Sequence, residues 1–593
     1  MNSKRLTPWS RRSTAPNDSA SGPRAVAERG ETGMKILKGI AGAPGIAEGP
    51  VVFYSKQQGG GEILDLDAAK LKCLADIRGL YEKTLRDVGE EQAKIFSAYE
   101  MLLEDEMLYL PIRSAIESGT DPVLAAVEET EKLSQMLATK GGEYMRQRAD
   151  DIRYIGELLA QAMQGAQESY QLPEGDEPFL LAARELTPVD TMRFDAKRLA
   201  GLVTELGGAT SHTVILAKSL GIPAVVGVSG IEDAAGEGHR AFLDGYTGEF
   251  VLDPDAETAT AYGKKREADL QLMREIESVR ESETRTADGE RIAVCVNIGK
   301  PQDLKGADGI RFDGVGLFRS EFLYSSESEK PSIEAQRKAY QKAIDAVWPD
   351  PVIIRTLDVG GDKQLGYLNM PQEENPFLGN RGIRLCLNNP EVFEEQLEAI
   401  LLAAAGKSVK IMLPMITSIH EIEAAKSLLE KVAGRLAAAG TPYCTDAALG
   451  IMVETPASAI LARQFAHHCD FFSIGTNDLT QYIMSADRGN AAVQNCYNPC
   501  HPAVITMIAE TIRAGAHAGI EVSVCGDLAA DLRFTVLLLG LGLKKFSVPL
   551  PQVGRIKYKI ANTSLADAQA LAEEILWMED EAQIAERLQA SSH

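Results

Sequence analysis

The sequence predicts a multidomain α/β protein, in which a small α/β domain with an inserted helical bundle precedes a linker helix and a C-terminal (β/α)8 barrel. Three observations lead to this prediction. The chain has 593 residues, its second half alternates apolar strand-like runs with helical stretches, and short strands flank a long helical block in its first half. A chain of this length favours about three or four domains over a single core.

Eight apolar runs in the second half have the length and flanking residues of strands. They lie at residues 291–297, 314–318, 352–355, 409–414, 449–454, 470–475, 521–525 and 545–548. Eight strands in a segment of this size are typical of a (β/α)8 barrel, which we predict over residues 284–593. A doubly wound sheet is the competing interpretation, because it alternates strands and helices in the same way.

The first half of the chain divides into two strand-rich parts with a helical block between them. Residues 34–60 and 172–254 contain the strand-like runs, and residues 61–171 carry leucines and isoleucines at helical spacing. We therefore expect one small α/β domain into which a bundle of about four helices is inserted. Residues 255–283 are charged and helix-forming, and we expect a linker helix there.

Residues 1–33 differ from the rest of the chain in composition. They contain six basic and three acidic residues, are rich in Ser, Pro, Gly and Ala, and lack a hydrophobic stretch. This composition predicts a disordered basic tail. Translation from Met34 and a transit peptide are the two alternatives.

Charge and cysteine usage restrict the partners and the compartment. The formal net charge of −24 disfavours nucleic acid as a partner. No apolar run approaches the roughly 18 residues of a membrane helix, so we expect no membrane insertion. The eight cysteines are scattered, which excludes a disulfide scaffold and favours the reducing cytoplasm.

A glycine- and hydroxyl-rich segment at residues 207–213 contains His212 and precedes a short helical pattern that ends at Gly221 and Pro223. The start of a helix offers free N–H groups and the positive end of its dipole, so it favours bound phosphate. A histidine at this position can carry a phosphoryl group on a ring nitrogen. A structural histidine is the competing interpretation.

Reactive residue types follow the predicted barrel strands, where barrel enzymes hold their catalytic groups. Arginines bind phosphate and carboxylate through two parallel N–H donors. Glu454 and Asp478 are oxygen ligands that suit Mg²⁺. Cys525 is either an inert core residue or a proton donor or nucleophile. The strand-end residues are Arg319, Arg355, Glu454, Asn477, Asp478 and Cys525, with Lys363, Arg381, Arg384 and Arg488 nearby.

The sequence contains no convincing loop for a nucleoside triphosphate. Gly406, Lys407 and Ser408 resemble the end of a P-loop, but Leu401 stands where the first glycine belongs. We therefore expect a phosphoryl donor of another kind.

Seven motifs in order resemble Enzyme I of the bacterial phosphotransferase system, a family of phosphoenolpyruvate–protein phosphotransferases. The resemblance runs from about Met34 to near the C-terminus. It implies a phosphohistidine domain around His212, a helical subdomain that binds a histidine phosphocarrier protein (HPr-like), and a phosphoenolpyruvate-binding barrel through which family members dimerise. The motifs lie at residues 207–213, 316–323, 355–363, 373–379, 452–457, 471–482 and 525–529.

The same resemblance implies a role for each site residue. His212 receives the phosphoryl group of phosphoenolpyruvate and passes it to the carrier, as the first step of sugar uptake, while Cys525 protonates the enolate to give pyruvate. Glu454 and Asp478 hold Mg²⁺. Because His212 and the barrel lie in different predicted domains, we expect a swing about residues 255–283. The implied substrate-binding residues are Arg319, Arg355, Lys363, Arg381, Asn477, Asp478 and Arg488.

Three residues depart from the family pattern. Asp527 replaces the usual Glu, Ala530 replaces a Gly, and Asn380 stands where an aromatic residue is common, so we expect altered rates but the same reaction. A pyruvate phosphate dikinase or phosphoenolpyruvate synthase is the enzymatic alternative, although these enzymes add a large nucleotide-binding domain. The second alternative is not an enzyme but a regulatory phosphocarrier whose barrel senses phosphoenolpyruvate without converting it. Sugar uptake and nitrogen-linked regulation are both open as pathways.

Overall fold

The computed structural model describes residues 28–29, 33–57, 63–87, 90–139, 143–165, 167–169, 176–186, 190, 194–195, 197–208, 211–231, 239–324, 330–360, 365, 367–368, 370, 373–490 and 492–591. The chain divides into two compact units, Met1–Gln271 and Leu272–His593. Most of the predicted tail lies outside the described residues. Its residues Glu28–Arg29 form a short strand, β1.

A ten-stranded mixed sheet forms the centre of the first unit. The strand order is β1-β2-β10-β9-β4-β6-β7-β8-β3, with β5 paired to the end of β4. β4 joins an antiparallel half, through β9, to a parallel half, through β6. The remaining strands are β2 (Lys35–Lys38), β3 (Ile40–Ala43), β4 (Ile46–Gln57), β5 (Gln167–Ser169), β6 (Phe179–Ala183), β7 (Leu199–Thr204), β8 (Ala224–Val226), β9 (Arg240–Asp244) and β10 (Glu249–Leu252).

In the described part of the chain, five helices lie between β4 and β5, where the sequence predicts about four. The additional helix begins at Asp105, whose side chain accepts the N–H of Met107 and caps a new helix within one continuous apolar pattern. The helices pack around a core that also includes Leu216, from the helix that follows β7, and that is distinct from the two cores of the sheet. They are α1 (Leu66–Asp87), α2 (Glu90–Glu104), α3 (Glu106–Glu117), α4 (Pro122–Thr139) and α5 (Glu143–Met163).

Among the described residues, two further helices lie in the first half of the chain. α6 (His212–Leu220) follows β7, and α7 (Ala256–Val279) lies where the sequence predicts the linker helix. The boundary between the two compact units falls within α7.

The second unit is a closed barrel of eight parallel strands, β11 to β18. Every predicted strand is present, and closure of β18 onto β11 excludes the doubly wound sheet. Apolar side chains fill the barrel interior, and a larger core lies between the strands and the surrounding helices. The strands are β11 (Ala293–Ile298), β12 (Val315–Arg319), β13 (Val352–Arg355), β14 (Lys410–Leu413), β15 (Ala448–Val453), β16 (Phe471–Gly475), β17 (Glu521–Cys525) and β18 (Lys545–Pro549).

Helices surround the barrel strands. Among the described residues, none of the helices has the length and apolar character needed to cross a membrane. The helices of this unit are α8 (Ile333–Val347), α9 (Ile383–Asn388), α10 (Pro390–Ala403), α11 (Ile419–Ala438), α12 (Pro456–Ile460), α13 (Ala462–Phe465), α14 (Thr476–Met484), α15 (Pro502–Ala518), α16 (Asp527–Ala530), α17 (Leu532–Gly540), α18 (Val553–Ala561), α19 (Leu565–Leu576) and α20 (Glu581–Ser591).

Candidate active site

A pocket of about 400 Å³ opens at the C-terminal ends of the barrel strands. The structure brings to its wall eight of the nine barrel residues to which the resemblance gave a role. Lys363, the ninth, lies outside the described residues. The eight are Arg319, Arg355, Arg381, Glu454, Asn477, Asp478, Arg488 and Cys525.

Arg355, the last residue of β13, is buried between two carboxylates that the sequence analysis gave no role. Its Nη2 lies 2.5 Å from Glu321 Oε1, and its Nη1 lies 2.9 Å from Asp358 Oδ2. Burial lowers the pKa of the guanidinium, but these two carboxylates outweigh burial and raise it overall. Arg355 is therefore charged, and its buried Nε has no hydrogen-bond partner among the described residues.

Arg381 lies between Asp358 and Asp478. Its Nε and Nη2 donate to Asp358 at 3.0 and 3.1 Å, and its Nη1 and Nη2 donate to Asp478, each at 3.1 Å. Nη1 also donates to the Tyr482 hydroxyl at 3.3 Å, so partners are present for all five guanidinium N–H groups. Gly360 permits this placement, because a Cβ there would come within 2.8 Å of the Arg381 Cα.

Glu454 follows β15 and is fully buried. Its Oε1 accepts the backbone N–H of Met415 at 2.6 Å, while its Oε2 has no partner among the described residues. Burial, reinforced by the charges of Asp358 and Asp478, raises the pKa of Glu454 to about 8. A buried carboxylate oxygen without a partner on a pocket wall fits a bound cation.

Asp478 lies in the first turn of α14, directly after β16, and faces the same pocket as Glu454. The described residues contain no cluster of three or more His, Cys, Asp or Glu side chains that could hold a metal alone. Two carboxylates with open space beside them match the needs of Mg²⁺, which completes its coordination with water and substrate oxygens.

Cys525 ends β17 with its side chain buried inside the barrel. Its Sγ lies 3.5 Å from Ser473 Oγ, which donates to it. Burial raises the pKa of the thiol, so Cys525 is protonated at neutral pH. This environment suits a proton donor better than a thiolate nucleophile.

Asn477 is held by the backbone that follows Cys525. The N–H of Asp527 donates to Asn477 Oδ1 at 2.9 Å. Gly526 has a φ of +88°, and a Cβ there would come within 2.8 Å of the same oxygen. Because the contact uses the backbone of Asp527, the replacement of the usual Glu by Asp leaves it in place.

Arg319 and Arg488 differ from the other two arginines in their pairing. Arg319 ends β12 and is half-buried. Arg488 Nη2 lies 4.0 Å from Asp478 Oδ1, the only ion pair of this residue found within the described chain. Arg319 and Arg488 therefore face the pocket with more of their donors available to a ligand than Arg381 has.

Glu321 and Asp358 are the pocket residues that the sequence analysis missed. Both carry a usable signal, since they follow Arg319 by two residues and Arg355 by three, within the same motifs. Their presence changes the expected electrostatics. The pocket is a network of paired charges and not a purely cationic surface.

His212 is the first residue of α6 in the first unit. Ser211 takes the extended N-cap conformation, and its buried hydroxyl makes no hydrogen bond within the described residues. Gly221 ends the helix in the left-handed conformation, with a φ of 67°, as the sequence predicts. The side chain of His212 and residues 209–210 lie outside the described part of the structure.

Three family profiles match the chain. They are the N-terminal domain of PEP-utilising enzymes at residues 38–148, the mobile domain at 175–248, and the PEP-binding domain at 273–565. A phosphoenolpyruvate-protein phosphotransferase of Bacillus subtilis is 36% identical over 559 residues, covering 92% of this chain and 97% of its own. This chain belongs to the phosphoenolpyruvate–protein phosphotransferase family.

Two further relatives of that family carry the same name. The Haemophilus influenzae protein is 36% identical and covers 91% of this chain and 96% of its own. The Haloferax volcanii protein is 40% identical and covers 86% of this chain and 88% of its own. The NMR solution structure of Enzyme I (nEIt) is 30% identical with a TM-score of 0.34, and it covers 39% of this chain and 98% of that chain.

Proposed function

We propose that this protein transfers the phosphoryl group of phosphoenolpyruvate to its own His212 and then to a histidine of an HPr-like phosphocarrier protein, releasing pyruvate. One observation carries the proposal. The barrel pocket of a chain from this family combines four arginines, two candidate metal ligands and a protonated thiol. Family membership favours this reaction over that of a dikinase.

The arginines supply the binding and orientation. Arg319, Arg355 and Arg488 line the pocket and would bind the phosphate and carboxylate of phosphoenolpyruvate, and Asp358 holds Arg381 against the same pocket. Glu454 and Asp478 would hold a divalent cation, which we assign as Mg²⁺. When bound, this ion neutralises negative charge on the transferring phosphoryl group.

The reaction then has two chemical steps, phosphoryl transfer to His212 and protonation of the resulting enolate by Cys525. The neutral imidazole of His212, with a reference pKa of about 6.5, attacks phosphorus through a free ring nitrogen. The bond between phosphorus and the enol oxygen breaks, and the enolate keeps that electron pair. The Cys525 thiol then delivers its proton to the methylene carbon, which gives pyruvate.

The same proposal assigns the remaining parts of the chain. His212 and the barrel pocket belong to different units, so the histidine must move between phosphoenolpyruvate and the carrier. The helices α1 to α5 provide the surface for the carrier, the barrel provides a homodimer contact, and the enzyme works in the cytoplasm as the first step of sugar uptake.

Labelled phosphoenolpyruvate tests the central step. Incubation with Mg²⁺ should label the parent protein and leave His212→Ala unlabelled. His239→Ala is the matched control, because this histidine lies in the same unit and pairs with Asp253 away from α6. Label retained by His212→Ala would refute the assignment, and label accepted from ATP would favour the dikinase.

A further inference from the structure

Ser473 lies in the interior of the barrel, beside the buried thiol of Cys525. It is the third residue of β16, and its side chain is fully buried. Phe471, two residues before it, belongs to the apolar core inside the barrel, and residues two apart on a strand share a face. Ser473 therefore places a hydroxyl group among apolar side chains.

The pairing of β16 with β17 brings this hydroxyl to the thiol. Ser473 pairs with Ser523 in the parallel register of the two strands. Two residues further along, Gly475 pairs with Cys525. Because Gly475 places no side chain opposite Cys525, the thiol reaches the next residue on that face of β16. Ser473 Oγ lies 3.5 Å from Cys525 Sγ and donates to it.

Among the described residues, the thiol is the only hydrogen-bond partner of the Ser473 hydroxyl. A neutral thiol is a weak acceptor, and burying a hydroxyl without a good partner costs free energy. The nearby hydroxyl of Ser523 is bonded differently, since it donates to the carbonyl oxygen of Phe472 at 3.4 Å. Ser473 therefore gains little from the neutral thiol, and an alanine would serve a purely structural position equally well.

The same contact becomes strong when the sulfur carries a negative charge, because hydrogen bonds to ionised acceptors are roughly twice as strong as neutral ones. Burial raises the pKa of the Cys525 thiol, and the hydrogen bond from Ser473 is the largest of the effects that oppose burial. The thiol also donates to the Ile474 carbonyl, 3.5 Å from Sγ. A thiolate has no proton for that bond, so the bond from Ser473 is the one that remains within the described chain.

We propose that Ser473 is a positioning residue for the second chemical step: its hydroxyl stabilises the thiolate that Cys525 becomes when it protonates the enolate. In this step the S–H bond breaks, a C–H bond forms at the methylene carbon, and the sulfur keeps the electron pair. Negative charge moves from the enolate to the sulfur, to which the Ser473 O–H group already donates. A proton from water then restores the thiol. This role rests on the function proposed above.

Ser473→Ala tests the role in the full-length protein, because it should separate the two chemical steps. Phosphorylation of His212 by phosphoenolpyruvate and the affinity for phosphoenolpyruvate should stay within about twofold of the parent, since the thiol acts only after phosphoryl transfer. Formation of keto pyruvate should slow about tenfold, because the thiolate loses a charge-assisted hydrogen bond. Rapid quench measures the first rate, and stopped-flow coupling to lactate dehydrogenase measures the second. The variant should fold, since Sγ still donates to the Ile474 carbonyl.

Ser523→Ala is the matched control. Ser523 is also fully buried and lies two residues before Cys525 on the same strand, but its hydroxyl donates to a backbone carbonyl. Both rates should remain within about twofold of the parent, as for a residue outside the reaction. An equal loss of pyruvate formation in Ser473→Ala and Ser523→Ala would overturn the specific role of Ser473.

A double variant tests whether Ser473 acts through the thiol. Combining Ser473→Ala with Cys525→Ala should give the rate of pyruvate formation of Cys525→Ala alone, within about twofold, because the partner of the hydroxyl is already gone. A further loss of about tenfold would mean that Ser473 acts by another route and would overturn the proposal.

Two results for Ser473→Ala alone would also overturn it. Unchanged pyruvate formation would make the hydroxyl purely structural, and equal slowing of both steps would show that it acts on the geometry of the pocket. A parent protein that forms neither phosphohistidine nor pyruvate would contradict the proposed function itself. That failure is distinguishable, because it appears before any residue is replaced.

Discussion

The two ends of the barrel both carry charged clusters, but the clusters differ in how completely their buried groups are paired. At the N-terminal end, Lys410 and Lys545 both bond to Glu521, at 2.9 and 3.0 Å. Within the described residues, this cluster leaves no buried side-chain oxygen or nitrogen without a hydrogen bond. At the C-terminal end, which we call the mouth, three such atoms have no hydrogen-bond partner among the residues that the structure describes: Glu321 Oε2, Arg355 Nε and Glu454 Oε2.

The paired cluster at the N-terminal end of the barrel is typical of charges that stabilise a fold. The cluster at the C-terminal end, with atoms unpaired among the described residues, is typical of a ligand-binding site. An unpaired buried polar group costs about 1–3 kcal/mol, so three of them around one pocket, without partners among the described residues, favour a site that a ligand completes. The sequence alone shows charged residues at both ends. Only the hydrogen bonds in the structure show which end has buried polar atoms without partners among the described residues.

Replacing one cation at each end of the barrel should give the largest difference in the rate of His212 phosphorylation. Arg355→Met removes a cation that we propose binds the phosphoryl group, and it should lower the rate of His212 phosphorylation by about 10²–10³-fold. Lys545→Met should leave that rate within about twofold, because its cluster lies at the opposite end of the barrel strands. Rapid-quench measurement with labelled phosphoenolpyruvate gives both values. A large loss of rate in Lys545→Met would remove the functional distinction between the two clusters.

Cys525 and Cys295 are buried thiols at opposite ends of the barrel, and replacing each of them tests the same difference between the ends with a smaller expected effect. Burial raises the pKa of Cys525, at the mouth, and raises that of Cys295, near Lys545, to about 12. Both are protonated, but only Cys525 lines the pocket among the described residues. Cys525→Ala should slow pyruvate release by about 10²-fold while phosphoenolpyruvate affinity is kept, as expected for loss of a general acid. Cys295→Ala should leave both unchanged, and equal effects of the two substitutions would contradict the role of Cys525.

The sequence predicted the barrel well because its strands are apolar runs bounded by turn residues, and this pattern does not depend on the rest of the fold. The short strands β9 and β10 were not predicted. Their position depends on antiparallel pairing with strands distant in the chain, such as β2 and β4.

The sequence predicted the mouth residues from their positions at strand ends, and eight of them line the pocket. It could not predict which arginines are already paired. Arg381 has partners for all five N–H groups, while Arg355 Nε has none among the described residues, and this difference depends on distances between side chains from different strands. The positions of Glu321 and Asp358 within the motifs could have marked them as candidates, but their pairing with particular arginines depends on these distances.

The smallest expected effect concerns the pH dependence of the N-terminal cluster. Burial would raise the pKa of Glu521, but Lys545 and Lys410 outweigh it and hold that pKa below its usual 4.5. Burial would lower the pKa of Lys545, but Cys295 and Glu521 outweigh it and hold that pKa above 10.5. The lowered carboxyl pKa contributes stability that is present above pH 4.5 and lost as the pH falls through the folded-state pKa. The raised ammonium pKa contributes stability that is present below pH 10.5 and lost above it.

Lys545→Met should therefore destabilise the barrel unit by a constant amount between pH 4.5 and 10.5, on the order of 1 kcal/mol for a partly exposed pair. Below pH 4.5 the difference from the parent should shrink, because protonated Glu521 no longer attracts the lysine. Calorimetric unfolding of both proteins at matched pH values measures the difference. Arg435→Met is a control of similar length outside the cluster, since it pairs with Glu394 and Glu398 on the barrel surface. A destabilisation by Lys545→Met that persists unchanged into acid would mean that packing of the lysine stem, and not its charge, stabilises this end.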